Sequence, residues 1–249
     1  MDEDTILGAD EAHDEIDVEG LDEVRHAVRL VDVSRTYMLG KRKIDAVRGV
    51  NLEVSMGDYI VISGHSGSGK TTLLNIIGAI DSVTEGRIHV MDVPIEDYDE
   101  SFRATFRLQN TGYMFQSYNL ISTLTAIENV MFPMQLTPKP ISDLNAEACN
   151  LLEMVDMNDR LDHLPWQLSS GEQQRVALAR AMANDPPIIL ADEPTANLDE
   201  ASAEMVRTIL HNLNNNGKAV IVMTHDETIS SMSGVRRFRM SKGELLRDV

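Results

Sequence analysis

The stretch GHSGSGKTT holds Gly64, Gly67, Gly69, Lys70 and Thr71 at the spacing G-x-x-x-x-G-K-[ST]. Closely spaced glycines let successive backbone N–H groups curl round an anion. The lysine then reaches phosphate oxygens, and the hydroxyl after it can ligate a divalent cation. His65, Ser66, Ser68 and Thr72 fill the rest of the loop and are placed against the same phosphates. The apolar run DYIVIS precedes the loop and the helix-like TTLLNIIGAI follows it. That context separates it from a chance glycine-rich turn.

A second cluster lies about 120 residues further on. PPIILADEPT reads as a buried strand ending in Asp192 and Glu193. Carboxylates at the carboxyl end of a strand stand over the crevice where α/β sheets bind ligands. Asp192 is expected to hold Mg²⁺, and Glu193 to polarise an attacking water as general base. Another apolar strand, KAVIVMTH, ends at His225, and TGYMFQ ends at Gln116. Taken alone, a histidine there is more often a structural hydrogen-bonder than a catalytic group, though its place at a strand's end, like that of Glu193, favours function. A glutamine after an apolar run is usually an ordinary loop residue. Tyr37, in SRTYMLG, offers a ring that can stack on a purine or sit in a core.

A second anion site is written in QLSSGEQQRVALARAM, Gln167–Met182. Ser169 falls where a helix N-cap belongs and Glu172 three residues later, the spacing of a capping box. A helix N-terminus also attracts anions. One chain thus carries two places suited to hold phosphate.

The elements that must position these residues follow from the patterning. Strand-like runs recur at AVRLVDV, VNLEVS, DYIVIS, GRIHVMDV, PPIILADE, KAVIVMTH and VRRFRMS, while the span from Ser117 to Ala181 is mostly helical in pattern. This implies an α/β core with a helical insertion. The Pro-rich FPMQLTPKPISD separates pieces of the helical part. The 249 residues suffice for a full core, and no run approaches the roughly 18 apolar residues of a membrane span. Cys149 is alone, which excludes an intrachain disulfide and a cysteine metal cluster. The net charge of −18 is concentrated at the start: residues 1–24 hold eleven acids and no Lys or Arg, leaving 29 acids against 22 bases elsewhere. Such a head is expected to be a disordered, solvated tail. No basic nucleic-acid footprint is present.

The ordered set resembles the nucleotide-binding subunit of an ATP-binding-cassette transporter. Tyr37, the Walker A loop Gly64–Thr71, Q-loop Gln116, signature LSSGE (Leu168–Glu172), Walker B IILAD with Glu193, D-loop ANLD (Ala196–Asp199) and switch His225 match it in sequence order. The resemblance spans about residues 27–249. GEQQRVALARAM, ADEPTANLD, LLNIIGAID and MFQSYNLISTLTAIENVMFPMQL further resemble the lipoprotein-release, macrolide-export and FtsE-type branch. It implies a P-loop NTPase (RecA-like) core over 26–116 and 182–249, with an antiparallel β subdomain and a helical subdomain over 117–181. It implies ATP and Mg²⁺ as ligands, with Thr71, Gln116 and Asp192 around the metal. Catalysis falls to Glu193, His225, Gln116 and Lys70.

The resemblance also accounts for the second anion site. In that family two chains sandwich two ATPs head to tail, so Ser169, Ser170, Gly171 and Asp199 act on the partner's nucleotide. A homodimer is implied, working with a permease of the FtsX/MacB type from the cytoplasmic face of the cell membrane. The stretch Tyr118–Leu136, with Met131, Phe132 and Met134, is the candidate dock. The competing reading is a cell-division-type cassette that signals through a non-transporting permease. A chromosome-organising ATPase is disfavoured, because Gln116 to Ser169 spans only 53 positions without heptads. Two departures stand out: Ser170 where the family usually has Gly, and His65 where it often has Pro.

Overall fold

The computed structural model describes residues 26–138 and 140–247, so the expectation for the acidic head lies outside the described residues. The apolar runs flanking the phosphate loop form β3 (Tyr59–Ser63) and α1 (Lys70–Ile77). β7 (Ile188–Asp192) and β8 (Ala219–Met223) are buried at every position. Strands covered on both faces read as continuous apolar runs rather than alternating ones, which explains IILAD and AVIVM. The order of this sheet is β10-β9-β3-β8-β7-β6, where β6 is Thr111–Met114, β9 Val235–Ser241 and β10 Glu244–Arg247. β3, β6, β7, β8 and β9 run parallel, and β10 closes the edge as an antiparallel hairpin on β9.

A second, antiparallel sheet has the order β2-β1-β4-β5, from β1 (Val28–Leu39), β2 (Arg42–Val54), β4 (Glu85–Val90) and β5 (Val93–Pro94). Period-2 alternation in β3 divides the core between two layers. Ile60 and Ile62 join α1 and the antiparallel sheet, while Tyr59 and Val61 join the helical side. The antiparallel subdomain expected from the family resemblance is this second sheet.

α2 (Glu100–Asn110) packs its one buried residue, Phe106, with α1 and the antiparallel sheet. The helical side comprises α3 (Ala126–Met134), α4 (Ile141–Met154) and α5 (Ser170–Met182), followed by α6 (Glu200–Asn215) and α7 (Glu227–Ser231). Three details differ from the sequence pattern. GRIHVMDV is not one strand: Met91 and Asp92 both take positive φ, 50° and 58°, and turn the chain from β4 into β5. β6 and β10 are four-residue edge strands, too short for a period to declare itself. The break in the helical part also comes later than its first proline. Pro133 lies inside the last turn of α3, and the interruption begins after Met134.

Candidate functional site

The carboxyl ends of β3, β7 and β8 open onto one cleft of about 890 Å³. Ser66, Gly67, Gly69, Lys70, Thr71, Thr72, Gln116, Asp192, Glu193 and His225 all line it, so four separate sequence segments converge as expected. The loop owes its shape to glycine at two positions. Gly64 has φ +151°, and a Cβ there would lie 2.3 Å from the Met240 carbonyl oxygen. Gly69 has φ +108°, and its Cβ would lie 2.2 Å from the Ala46 carbonyl oxygen. The loop is thus wedged between β2 and β9, and the Gly243 amide ties it further by donating to Ser68 O at 2.9 Å. Ser68 itself is buried, and its hydroxyl has no hydrogen-bond partner.

Lys70, at the first position of α1, is 7% exposed. Its ammonium donates to Gly64 O at 2.6 Å and lies 3.4 Å from His225 Nε2 and 4.0 Å from Glu193 Oε1. Glu193 accepts from the His225 backbone N–H at 3.1 Å, and its other oxygen stands 3.2 Å from His225 Nε2. Its backbone lies in the left-handed region, φ +49°, and is held there by an N–H bond to Met223 O at 2.7 Å. The Thr71 hydroxyl donates to Asp192 Oδ2 at 2.7 Å. Burial pushes the Asp192 carboxyl above the ordinary carboxylate range, opposed by the Thr71 hydrogen bond and the Lys70 charge. A buried carboxylate, a threonine hydroxyl and a nearby amide form a hard oxygen donor set, which suits Mg²⁺.

Other expected site residues lie elsewhere. Gly64 and Ser68 are buried members of the loop that do not line the cleft, and His65 points to solvent without lining it. Tyr37 also stands outside the lining, 36% exposed. Its phenol hydrogen-bonds Asp81, and the Arg35 guanidinium covers its ring at 4.8 Å. Burial and the Asp81 hydrogen bond raise its pKa.

Ser169, Ser170 and Gly171 are likewise absent from the cleft. They open α5, where the capping box forms as the spacing requires: Ser169 Oγ accepts from Glu172 N at 3.2 Å, and Glu172 Oε2 accepts from Ser169 N at 2.8 Å. Ser169 and Ser170 face solvent, and a Cβ on Gly171 would lie 3.3 Å from Ser202 Oγ and 3.9 Å from Asp199 Oδ2. Asp199 caps α6 by accepting from Ser202 N at 3.0 Å.

The cleft also holds residues that the motifs passed over, among them Arg48, Thr195, Arg207, Asp226 and Lys242. Asp226 had a usable signal: it follows His225 at a strand's carboxyl end, as Glu193 follows Asp192. Arg207 had a weaker one: the helical period puts it on the apolar face of α6 with Ala203, Val206 and Leu210, where an arginine breaks the pattern.

Residues 47–196 match the family described as ABC transporter. An uncharacterized ABC transporter ATP-binding protein of Thermotoga maritima is 45% identical over 203 residues, 82% of this chain and 87% of that protein. The ABC transporter ATP-binding protein MJ0796 of Methanocaldococcus jannaschii is 41% identical over 226 residues, 89% of this chain and 96% of that one. A dimeric structure of MJ0796 in a post-hydrolysis state, bound to ADP and Pi, superposes with a TM-score of 0.85 at 40% identity, covering 88% of this chain and 97% of the other. The macrolide export ATP-binding/permease protein MacB of Syntrophobacter fumaroxidans is 41% identical over 206 residues, and the match spans 29% of its length. The chain belongs to the ABC transporter family, as one of its ATP-binding, ATP-hydrolysing cassettes.

Proposed function

We propose that two copies of this chain close head to tail around two ATP molecules, and that closure drives a separate permease at the inner face of the cell membrane. The observation that carries the reading is a separation. Lys70, Thr71, Asp192, Glu193 and His225 share one cleft, while Ser169, Ser170 and Gly171 open a different helix outside it. A phosphate held by Lys70 meets Ser169 only if the signature comes from another copy. The dimeric state of the related MJ0796 cassette supports this arrangement.

In each composite site the loop amides and Lys70 hold the β and γ phosphates. Thr71 and Asp192, with Gln116, would hold Mg²⁺, which when bound neutralises charge on the transferring phosphoryl group. Glu193 accepts a proton from the attacking water, and His225 fixes the Glu193 carboxylate through its backbone N–H. The purine is assigned to the margin of the cleft, on the ring face of Tyr37 that Arg35 leaves open.

The permease is of the MacB-like class, by likeness to relatives that carry both parts in one chain. Its dock is a groove of about 320 Å³ lined by Leu108, Ile121, Phe132, Pro133 and Arg180. This narrows the candidate stretch. Met131 and Met134 are 8% and 0% exposed and belong to the core, whereas Phe132 is 44% exposed. Among the described residues no helix is long and apolar enough to cross a membrane, so the dock serves another segment.

Glu193→Gln tests the chemistry. The variant should bind Mg-ATP as the parent does and lose about 10²–10⁴-fold in turnover, the worth of a positioned base. A near-normal rate in the permease-coupled variant removes Glu193 from that role.

A further inference from the structure

Glu193 and His225 lie on two chain segments that are tied together twice. At one end, the Glu193 carboxylate accepts from His225 N at 3.1 Å. At the other, Thr195 Oγ1 donates to Asp226 Oδ2 at 2.9 Å. Residues 193–195 and 225–226 therefore close a ring, and the ring contains a non-glycine residue at positive φ, Glu193, in a conformation that L residues rarely hold unaided. One side chain grips this ring from outside. Arg207, on α6, donates from Nη1 to the same Asp226 Oδ2 at 3.1 Å.

Arg207 is only 5% exposed, and the rest of its guanidinium is committed as well. Nε donates to Glu204 at 2.9 Å, and Nη2 pairs with Glu200. Asp226 is anchored in turn, with Oδ1 accepting from Thr228 N at 2.8 Å and its own N–H donating to Thr224 Oγ1 at 2.9 Å. A planar guanidinium engaged by three carboxylates has little freedom to turn. The loops after β7 and β8 thus meet α6 at one carboxylate immediately beyond His225.

We propose that Arg207 is a positioning residue for hydrolysis: through Asp226 and Thr195 it fixes the backbone on both sides of the Glu193–His225 pair. It borders the cleft, but its guanidinium is committed to Asp226, Glu200 and Glu204, so it acts through Asp226 rather than on the reacting atoms. The proposal rests on Glu193 as the general base. Arg207→Met alone is expected to cost stability, because it leaves Asp226 without its partner. Neutralising both members of the pair removes that penalty, so a purely structural role forecasts that kcat returns together with stability. Under the proposal, stability and turnover part company.

The experiment is steady-state Mg-ATP hydrolysis by the full chain, with thermal melting alongside. The variants are Arg207→Met, Arg207→Lys, Arg207→Met with Asp226→Asn, and Glu193→Gln. Arg207→Met should lower kcat by about 10–100-fold, as a misplaced catalytic group does, and leave KM for ATP within about twofold. Arg207→Lys should recover part of the loss, since an ammonium reaches Asp226 without the fork. Arg207→Met with Asp226→Asn removes both charges of the pair together. It should melt no lower than Arg207→Met and still not regain kcat.

If it regains kcat, the pair only neutralises charge and the proposal falls. It falls too if Arg207→Met keeps kcat within about twofold while Glu193→Gln loses turnover, or if the change lies in KM alone. Turnover retained by Glu193→Gln overturns the base assignment, and the brace with it. Should Arg207→Met not fold, Thr195→Val removes one hydroxyl from the same ring and must show the same kcat loss at constant KM; a wild-type kcat there overturns the proposal.

Discussion

The starts of α1 and α5 are both helix N-termini suited to anions, yet they are finished differently. At α1 the N-cap is Gly69, in the left-handed region, and no side chain hydrogen-bonds the first amides. At α5 both halves of a capping box are present, and Arg160 adds a 3.1 Å contact to Glu172. Unpaired amides at a helix start leave donors for a ligand, whereas a boxed start has already satisfied two of them. α1 is therefore built round its anion. α5 is complete by itself, and meets phosphate through exposed groups such as Ser169 when a partner brings it. The first terminus makes binding possible, and the second makes it conditional on a dimer.

The sharpest way to break this contrast is at Gly69. Gly69→Ala places a Cβ 2.2 Å from Ala46 O in a chain already at φ +108°. It should abolish measurable nucleotide binding, a fall of about 100-fold or more, since backbone must move. Gly67→Ala meets nothing within 4 Å and carries only the strain of φ +74°, so it should lose far less. Equal titration curves for the two variants would show that the wedge does not shape the site.

Ser169→Arg is the corresponding break at α5. It should leave ATP affinity of the isolated chain within about twofold, because none of the cleft changes. On a Glu193→Gln background, ATP-driven dimerisation should vanish in sizing experiments, and return in part on mixing with Lys70→Ala. Undiminished dimerisation by Ser169→Arg would reduce α5 to a capped helix with no second role.

The smallest expected effect concerns Glu172. The Ser169 backbone N–H, followed by the Ser169 hydroxyl and Arg160, holds its carboxyl below the ordinary glutamate range despite partial burial. A carboxyl depressed in the folded state adds stability that is present above its unfolded pKa and drains away as the pH falls through its folded value. Glu172→Gln should therefore cost a few degrees of melting temperature near neutral pH, and the deficit should shrink in acid. At α1, with no acid in its first turn, no such acid-sensitive term exists. A deficit that grows in acid would contradict this account of the cap.

Much of the site was legible because its chemistry is local. The phosphate loop, the acids after IILAD and the Ser169–Glu172 box each lie within a few residues, so spacing alone reports their geometry. The four-segment convergence was legible at one remove, since all sit at carboxyl ends of parallel strands. What escaped depends on tertiary placement. The period of α6 puts Arg207 on its apolar face, but its partner Asp226 is set by how α6 packs over the loop after β8, which no local pattern announces. Met131 and Met134 differ from Phe132 in facing, not in type. The Tyr37 ring is partnered by Arg35 from its own strand, β1, and by Asp81 from the loop after α1, a meeting set by one strand and a helix end.

The wedge of the phosphate loop between β2 and β9 has a further consequence. Gly69 bears on Ala46 of the antiparallel sheet and Gly64 on Met240 of the parallel one, while Arg48 N donates to Gly243 O at 2.8 Å across the same seam. The loop is a keystone. Removing its room to flex joins two sheets that have separate hydrogen-bond ladders into one cooperative unit. A nucleotide seated there stiffens the seam as well as the loop, so its protection against amide exchange should spread into β2 and β1, well beyond anything it touches.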